Sequence, residues 1–472
     1  MNAEQKKTLG RATLIALVIA AVVGYALGSL AKELPPEGGQ PKPFNLPERE
    51  TISLDNGLMI SFVEFGVVPK VAVSVVVRTG NLDEGADTWL ADITGELMRE
   101  GAAGRSAQEI ANDAASMGGD VSIRVGANTT SISLDVLSEF GPEAVQLLAD
   151  IVTQPTLPES ELGRIKADFE RRLSVAKSQP QSLATEAYLE LIYGDHAYGR
   201  VFPTAEQLAG YDIGAVRAYY NGNFGAQRTH VYIAGRFDRA VIRDAMSQAF
   251  AGWKRGPETL VDIPKADAAK RVKLVSRPDA PQSTIYLGLP VPDVSDRDHI
   301  PLSVANTLLG GYFSSRITSN IREDKGYTYS PRSSIASQYR VADWRQQADV
   351  TTAVTGPALK EIYAEIDRLQ LEAPKEPELT AVKNYVGGVF VLRNATRTGL
   401  ISQLATVDFH GLGDTYLKDY VDKIFAVTPE KVSEMAIRYL RDEDMALVVV
   451  GDLDQVRPQL ADLPQLEGIA LE

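Results

Sequence analysis

The chain contains no cysteine, which excludes disulfides, thiolate nucleophiles and cysteine-ligated metal sites. Histidine is nearly as scarce, with 4 residues in 472. The four are His196, His230, His299 and His410, and no two lie within one helical turn of each other. A metal site built from two histidines on one helix face is therefore excluded.

The sequence also lacks an excess of positive charge. Its 48 Lys and Arg residues are outnumbered by 62 Asp and Glu residues, which gives a formal net charge of −14. A nucleic-acid binder needs a surface that neutralises phosphates, so no nucleic-acid partner is expected. With 44% hydrophobic residues over 472 positions, the chain is long enough for two or three domains that each have a full core.

One long uncharged run lies near the amino terminus, at residues 12–31. A run of this length can cross a bilayer as one helix, and Lys6, Lys7 and Arg11 before it predict that the tail stays in the cytoplasm. A cleaved signal peptide is the alternative, because small residues at 28–31 offer a cleavage point. We therefore predict a single-pass protein of a bacterial inner membrane with its globular part in the periplasm, or a periplasmic protein if the segment is removed.

The rest of the chain divides into two similar halves. Segments 212–238 and 428–454 each read as a capped helix, a polar turn, an apolar strand and a glycine turn. Four features keep one constant offset, which indicates an internal duplication. The matched pairs are Asp212 and Thr428, Val216 and Val432, Gly235 and Gly451, and Asp238 and Asp454.

These patterns predict an α+β protein with two homologous domains, each a mainly antiparallel sheet with helices packed on one face. A hairpin opens the first half, because Asn56-Gly57 between alternating apolar strands is a two-residue turn signal. A buried strand follows at 71–80, and Ser106 with Glu109 forms a predicted capping box. The predicted limits are a tail and transmembrane anchor or signal peptide at 1–31, a flexible tether at 32–48, a first domain at 49–253, a linker at 254–271 and a second domain at 272–472.

The second half contains 310-GGYFSSRITSNIREDKGYTYSPRSSI-335, a stretch rich in arginine and tyrosine. It resembles the arginine–tyrosine motif of the pitrilysin-type (M16) zinc peptidases, in which a helix that carries arginine is followed by a glycine turn and a tyrosine. The matching residues here are Arg322, Gly326 and Tyr329. The resemblance covers nearly all of residues 48–466 and implies two M16-type domains. By itself the pattern also fits an ordinary helix end, where arginine offsets the helix dipole and tyrosine packs its ring.

The resemblance also indicates what the first half lacks. Active relatives carry His-x-x-Glu-His on the helix that here reads 89-WLADITGELMREG-101. Asp92 and Glu96 occupy the two histidine positions, Gly95 occupies the general-base position, and Arg172 stands where the third ligand, a glutamate, is expected. Because an arginine cannot ligate a cation, we expect no metal or other cofactor on this chain. Asp92 and Glu96 share a helix face, but two carboxylates alone more simply form a solvated face or ion pairs than a metal site.

The resemblance implies a role in trans. In active relatives the arginine and the tyrosine hydroxyl stabilise charge on the scissile carbonyl oxygen at the zinc site of the other half. Some smaller members divide the zinc site and the arginine–tyrosine pair between two chains around an enclosed chamber. We therefore expect the non-catalytic subunit of a heterodimeric zinc metallopeptidase, inactive alone. Arg322 and Tyr329 would act in catalysis and, with Gly326, contact the peptide substrate, and zinc is expected in a partner subunit that carries His-x-x-Glu-His.

Two other functions fit the same sequence. The chain could be a structural scaffold, like the core subunits of the respiratory cytochrome bc1 complex that share this fold. It could also be a peptide-binding or chaperone-like protein that holds extended segments against a sheet edge without cutting them. For the histidines we expect ordinary structural roles, with a hydrogen bond at His196 and an edge or core position for His230.

Overall fold

Two β-sheets, one from each half of the chain, form the framework of the protein in the computed structural model, which describes residues 45–471. The strands are β1 (Arg49–Ser53), β2 (Met59–Glu64), β3 (Lys70–Val77), β4 (Gly101–Ala102), β5 (Arg105–Ser106), β6 (Ser122–Val125), β7 (Thr130–Leu137), β8 (Thr229–Gly235), β9 (Arg271–Ser276), β10 (Gln282–Val291), β11 (Arg332–Gln338), β12 (Val341–Thr351) and β13 (Ala446–Gly451). The six-stranded sheet has the order β1-β2-β8-β3-β7-β6, and the five-stranded sheet has the order β11-β12-β10-β13-β9. One neighbouring pair in each sheet is parallel, β2 with β8 and β9 with β13, so the sheets are mainly antiparallel as predicted.

Helices connect the strands in both halves. The first half contains α1 (Leu90–Arg99), α2 (Ala107–Ser116), α3 (Gly141–Thr153), α4 (Glu159–Ser178), α5 (Pro180–Tyr193), α6 (Ala205–Gly210), α7 (Ile213–Asn223) and α8 (Arg239–Phe250). The second half contains α9 (His299–Asn306), α10 (Arg316–Thr318), α11 (Thr355–Leu371), α12 (Glu376–Arg393), α13 (Arg397–His410), α14 (Thr415–Phe425), α15 (Pro429–Tyr439) and α16 (Leu453–Ala461). Two π-helical segments, Thr307–Gly311 and Ser319–Asp324, lie beside α9 and α10.

One face of each sheet is apolar because alternate residues of a strand point to the same side. In β3 the odd-numbered valines from Val71 to Val77 are at most 1% exposed, and they share a core with Leu97 of α1. The second sheet has an equivalent core around Trp344 of β12. Burying one such side chain contributes about 1.5–3 kcal/mol, so these two cores account for most of the favourable burial.

The opposite faces of the two sheets are covered by an exchange of helices. Helix α5 belongs by sequence to the first half, but its Tyr188 packs against Tyr286 of the second sheet. Helix α13 belongs to the second half, but its Leu404 packs in a cluster with Val63 and Tyr232 of the first sheet. Each half therefore depends on a helix of the other to bury the second face of its sheet. The sequence patterns had predicted helices on one face only.

Polar contacts accompany this exchange. Arg49 donates two hydrogen bonds of 2.8 Å to the carboxylate of Asp408, and the hydroxyl of Tyr232 donates to the same carboxylate at 2.9 Å. On the other side of the molecule, the hydroxyl of Tyr193 donates to Asp343 at 2.9 Å. These groups are buried or half-buried, so each one left unpaired would carry a desolvation cost.

The predicted location is corrected by the structure. Within residues 45–471 no helix is long and apolar enough to cross a bilayer, so a place in the bacterial inner membrane with the globular part in the periplasm is not upheld. The segment 12–31, on which that prediction and the predicted transmembrane helix rested, lies outside the described residues. The predicted domain limits stay a prediction.

Replacing Asp408 tests how strongly the exchanged helix α13 is held. Asp408→Ala leaves the half-buried guanidinium of Arg49 with Asp414 alone and the hydroxyl of Tyr232 with His230 alone. We expect the free energy of unfolding, measured by urea titration, to fall by about 2–3 kcal/mol. Asp419→Ala is the matched control, because Asp419 forms only an exposed pair with Lys423 at 3.8 Å and should change stability by less than about 0.5 kcal/mol. Equal losses in both variants would contradict the assigned role.

Candidate functional site: the arginine–tyrosine motif and the altered metal positions

The arginine–tyrosine motif folds as a short helix whose last turn is widened. Ser315 caps α10 by accepting a hydrogen bond from the backbone N–H of Thr318, and the π-helical segment Ser319–Asp324 continues the helix. Gly326 ends it with a φ of +66°, a left-handed conformation that glycine adopts without the strain of a Cβ atom. The chain therefore turns sharply between Arg322 and Tyr329. Single π-turns of this kind are frequent at functional sites.

The turn brings Arg322 and Tyr329 into direct contact. The guanidinium carbon of Arg322 lies 5.0 Å from the ring centroid of Tyr329 and 4.4 Å from that of Phe313. Tyr329 is 80% exposed and Phe313 is 63% exposed, so the stacked group stands at the protein surface. Cation–π contact with two rings restricts the plane of the guanidinium, and its Nε lies 3.2 Å from the carboxylate of the neighbouring Glu323. The sequence predicted the first two residues but missed Phe313, whose only signal is an aromatic pair in the small-residue stretch 310-GGYFSS-315.

Neighbouring polar residues bond the helix of the motif to α11 and α12. Arg316 donates to both oxygens of Glu378 at 2.8 and 2.9 Å, and only 9% of its side chain is exposed. The amide of Asn320 donates to Glu361 and Glu365 of α11 at 3.0 and 2.9 Å. Arg316 therefore anchors the motif to α12, and its side chain is less exposed than that of Arg322, at 9% against 25%.

The residues at the altered metal positions also lie together. Arg172 of α4 approaches Glu96 of α1, with 3.5 Å between Nη2 and Oε1, and its guanidinium packs over the ring of Phe169. Asp92 accepts a hydrogen bond of 2.7 Å from the amide of Asn81, and burial raises the pKa of its carboxyl. A permanent cation thus occupies the region in which a metal ion would have to sit. Over residues 45–471 no group of three or more His, Cys, Asp or Glu side chains could hold a metal ion, so the residues present do not fit zinc.

The position of the missing general base is closed by packing. Gly95 is buried in α1, and a Cβ atom added there would lie 2.6 Å from Cγ2 of Val125 on strand β6. That distance is well below van der Waals contact, so a larger side chain here requires the side chain of Val125 to shift. The packing around Gly95 therefore disfavours a glutamate at the predicted general-base position.

A buried glutamate forms the start of the same helix. Glu84 is 7% exposed, and its two carboxylate oxygens accept the backbone N–H groups of Trp89 and Ala91 at 3.0 Å each. Burial raises the pKa of Glu84 to about 7. The two backbone hydrogen bonds and a hydrogen bond from Asn81 lower this pKa, but burial has the larger effect. Trp89 has a φ of +71°, an uncommon value for a residue other than glycine. The helix that carries the altered metal positions therefore begins with backbone strain and a carboxyl group that is costly to ionise.

A second polar group contains the distances of a hydrolytic triad. The hydroxyl of Ser61 lies 2.8 Å from Nε2 of His230, and Nδ1 of His230 lies 3.5 Å from Asp408. Ser61 is 0% exposed and also bonds to Thr51, so no substrate can reach its oxygen. Burial lowers the pKa of His230 to about 4, so the ring is neutral at pH 7. The group is a structural link between the halves, in agreement with the core or edge position expected for His230.

The other expectations for single histidines can also be compared with the structure. Nδ1 of His196 accepts the backbone N–H of Tyr198 at 3.2 Å, which is the expected structural hydrogen bond. His410 is 5% exposed and lies 3.4 Å from the buried Asp293, a pairing that no sequence pattern indicated.

The two predicted sets of site residues do not touch each other. In the described part of the chain, no hydrogen bond, ion pair or ring contact joins Arg322 or Tyr329 to Asp92, Glu96 or Arg172. The arginine–tyrosine pair and the altered metal positions are thus two separate groups of residues in the structure.

Substituting two helical glycines measures how tightly the general-base position is closed. Gly163→Ala in α4 meets no atom within 4 Å and should stabilise the protein by up to about 1 kcal/mol through helix propensity. Gly95→Ala has the same propensity gain, but overpacking against Val125 costs about 1–3 kcal/mol, so we expect a net loss near 1 kcal/mol. Urea unfolding compares the two variants. Equal stabilisation by both would mean that the space at Gly95 is open.

The raised pKa of Glu84 predicts a defined pH dependence of stability. Because its pKa is about 7 in the folded protein against 4.5 when exposed, folding favours the protonated carboxyl, and the wild type loses about 3 kcal/mol as pH rises from 4.5 through 7. Glu84→Gln should remove this loss, so the wild-type minus variant difference in unfolding free energy falls with rising pH. Glu109→Gln should show the opposite slope, because hydrogen bonds from Ser106 lower the pKa of Glu109. Parallel pH profiles for the wild type and Glu84→Gln would refute the assignment.

Comparison with known proteins identifies the family. A model described as insulinase (peptidase family M16) matches residues 66–203, and one described as the peptidase M16 inactive domain matches residues 212–386. An uncharacterized zinc protease of Bacillus subtilis, YmxG, is 25% identical over 399 residues, which cover 84% of this chain and 96% of that protein. An uncharacterized zinc protease of Mycobacterium tuberculosis, Rv2782c, is 25% identical over 419 residues, covering 86% and 93% of the two chains.

Solved structures share the fold. A peptidase M16 inactive domain from Pseudomonas fluorescens superposes with a TM-score of 0.80 at 23% identity, covering 86% of this chain and 98% of that one. A protease from Helicobacter pylori gives a TM-score of 0.79 at 16% identity, with coverage of 86% and 100%. The two halves described above are thus M16-type domains. This chain belongs to the M16 peptidase family, as a member that lacks the His-x-x-Glu-His zinc motif and retains the arginine–tyrosine motif.

Proposed function

We propose that this protein is the non-catalytic subunit of a heterodimeric M16-type zinc metallopeptidase. The observation that carries the proposal is the contrast between its two halves. Arg322 and Tyr329 are stacked together at the surface, while the metal positions of the first half hold a guanidinium and a closed glycine. A chain with the charge-stabilising pair and no metal ligands can contribute to peptide hydrolysis only beside a partner that supplies the zinc site.

In this role the pair would act on the substrate carbonyl as it becomes tetrahedral. The Arg322 guanidinium offers N–H donors and a positive charge, and the exposed hydroxyl of Tyr329 offers one further donor. Donors held in place before the reaction stabilise the developing oxyanion without a cost of reorganisation, and removing one typically slows the reaction about 10²–10³-fold. The stacking of Arg322 between Phe313 and Tyr329 is the feature that would hold these donors in place.

Gly326 would belong to the peptide-contacting surface through its backbone. It has no atom within 4 Å of the position of an added Cβ, so the turn leaves open space beside the pair. The partner would be an M16 chain with the His-x-x-Glu-His motif that binds zinc, and the two subunits would each form half of the wall of the peptide chamber. The curated relatives above are described as zinc proteases, which supports peptide as the substrate class.

The proposal is tested by reconstitution. The full chain is co-expressed with the His-x-x-Glu-His chain of the same organism, and cleavage of a quenched fluorescent peptide is measured for the complex. Arg322→Ala and Tyr329→Phe should each lower kcat about 10²-fold or more with little change in KM, because both groups act mainly on the transition state. Zinc content of the complex, measured by elemental analysis, should stay equal to that of the wild type.

Two control variants separate this role from general surface effects. Arg332→Ala removes an exposed arginine that bonds only to Gln347, and Tyr385→Phe removes a half-exposed hydroxyl near Tyr312. Both should leave kcat unchanged. Full activity of the Arg322→Ala and Tyr329→Phe complexes, or failure of the two chains to associate, would reject the proposal and favour a structural scaffold or a peptide-binding protein without proteolytic activity.

A further inference from the structure

A large cavity lies between the two halves, lined in part by His230, Tyr232 and Asp408. It has a volume of about 1310 Å³, and residues of the outer face of the first sheet and of helix α13 line it. Three polar contacts hold its walls in place. They are the ion pairs of Arg397 with Asp135 at 2.9 Å and of Arg49 with Asp408 at 2.8 Å, and the hydrogen bond from Asn128 to Gln338 at 2.8 Å. Neither Arg322 nor Tyr329 is among the residues that line it. A cavity whose walls are already held in place can bind a ligand without the free-energy cost of rearranging the protein.

The sheet wall of the cavity carries serines in register on neighbouring strands. Ser122 of β6 pairs with Ser133 of β7, and Ser133 pairs with Ser74 of β3. Ser131 lies in the next row, opposite Val76. Adjacent strands are about 4.8 Å apart, so these hydroxyls form an evenly spaced polar array on the sheet face. Among the residues that the structure describes, none of these four hydroxyls has a hydrogen-bond partner, so all four are available to a ligand in the cavity.

Arginines surround this array without matching carboxylates. Arg78 is held between the rings of Tyr339 and Phe409, with its guanidinium carbon 5.6 and 5.1 Å from the two centroids. Its Nε is buried and has no hydrogen-bond partner within the described residues. Arg124 of β6 and Arg393 of α12 also line the cavity, and neither forms an ion pair in the part of the chain described.

The acidic residues of the lining do not balance these arginines. Asp135 is paired with Arg397, and Asp408 is paired with Arg49. Within residues 45–471, Asp120 is then the acidic lining residue that has no cationic partner. The cavity is therefore locally positive in a protein whose formal net charge is −14. A local excess of fixed guanidinium groups favours an anionic ligand.

We propose that this cavity is a binding site for an acidic oligosaccharide. Rings that carry hydroxyl groups all round can exchange hydrogen bonds with the serine array, and carboxylates on the rings can pair with the arginines. The volume exceeds that of typical pockets for small ligands and accommodates several sugar rings. An extended acidic peptide fits less well, because peptides bind by main-chain pairing along a free strand edge. The edge strand β6 offers one such edge at the cavity, but the serine array lies on the sheet face, where the main-chain groups of β3 and β7 are used within the sheet.

Calorimetric titration of the full chain tests the proposal with three test ligands of similar size. Tetragalacturonic acid carries both features, maltotetraose carries hydroxyls without charge, and tetraglutamate carries charge on a peptide. We expect tetragalacturonic acid to bind at least about tenfold more tightly than either of the others, because charge-assisted and neutral hydrogen bonds both contribute. Titration at two salt concentrations measures the electrostatic share of the affinity.

Substitutions then locate the site. Arg78→Gln and Arg124→Gln should each weaken tetragalacturonic acid binding about tenfold, and Ser133→Ala should weaken it severalfold. Arg171→Gln is the matched control, because Arg171 is 71% exposed on α4 and does not line the cavity. Thermal unfolding checks that each variant is folded. If Arg78→Gln does not fold, the test of the site rests on Arg124→Gln, whose side chain is exposed.

Each possible result either supports or overturns the proposal. Selective tetragalacturonic acid binding that depends on Arg124 and is insensitive to Arg171→Gln supports the proposal. Absence of binding, equal or tighter binding of tetraglutamate, or equal losses with Arg124→Gln and Arg171→Gln would each overturn it.

Discussion

The exchange of helices α5 and α13 is the constraint on which the rest of the structure depends. Each sheet buries one face with helices of its own half, but the other face is covered by a helix supplied by the other half. Removing either helix would expose apolar rows such as Val448 and Val450 on one sheet or Val63 and Ala234 on the other. The two halves therefore cannot separate without losing part of each core, and the buried partners of Asp408 and Asp343 add a polar cost to separation.

This constraint also explains how one fold can hold two unlike surfaces. Because the cores and the exchanged helices fix the framework, the exposed residues of each half are free to diverge. In the first half, Arg172 has become the cation that faces Glu96, and Val125 fills the space above Gly95. In the second half, the π-helical turn and Gly326 project Arg322 and Tyr329 outward. The two surfaces thus differ in local residues, on a framework that the two halves share.

Much of the fold could be predicted from short-range patterns. Ser106 and Glu109 form the predicted capping box, and Asp212 and Thr428 cap equivalent helices before β8 and β13. The last matched pair of the repeat plays two roles, because Asp238 caps α8 whereas Asp452 caps α16 and Asp454 lies in its first turn. The hairpin at Asn56 forms, but the Asn56 amide is bonded to the backbone oxygens of Phe250 and Trp253, which are close only in the folded chain.

Like the fold, the candidate site could be predicted only where its residues lie close together in the sequence. Arg322, Gly326 and Tyr329 stand close in sequence, so a motif could indicate them, whereas the stacking of Phe313 depends on how two turns pack. The cavity gave no sequence signal at all. Strand β3 reads as a buried apolar run, and Ser74 and Arg78 become recognisable as lining residues only when α13 of the other half is placed above them. Pairings over more than 300 residues, such as Arg49 with Asp408, leave no local pattern.

The energetics of the surface favour the view that the arginine–tyrosine face is completed by another molecule. Phe313 and Tyr329 expose large ring areas to water, and the apolar part of this exposure is unfavourable in an isolated chain. Aromatic and arginine side chains are the types most enriched where proteins meet, because their burial gives large contact areas with few rotamers to restrict. The altered metal positions show the opposite behaviour, since Arg172 pairs with Glu96 and the amide of Asn81 donates to Asp92 within the chain. The first half thus pairs these charged groups internally, whereas the second half exposes two aromatic rings beside Arg322, whose Nε is paired with Glu323.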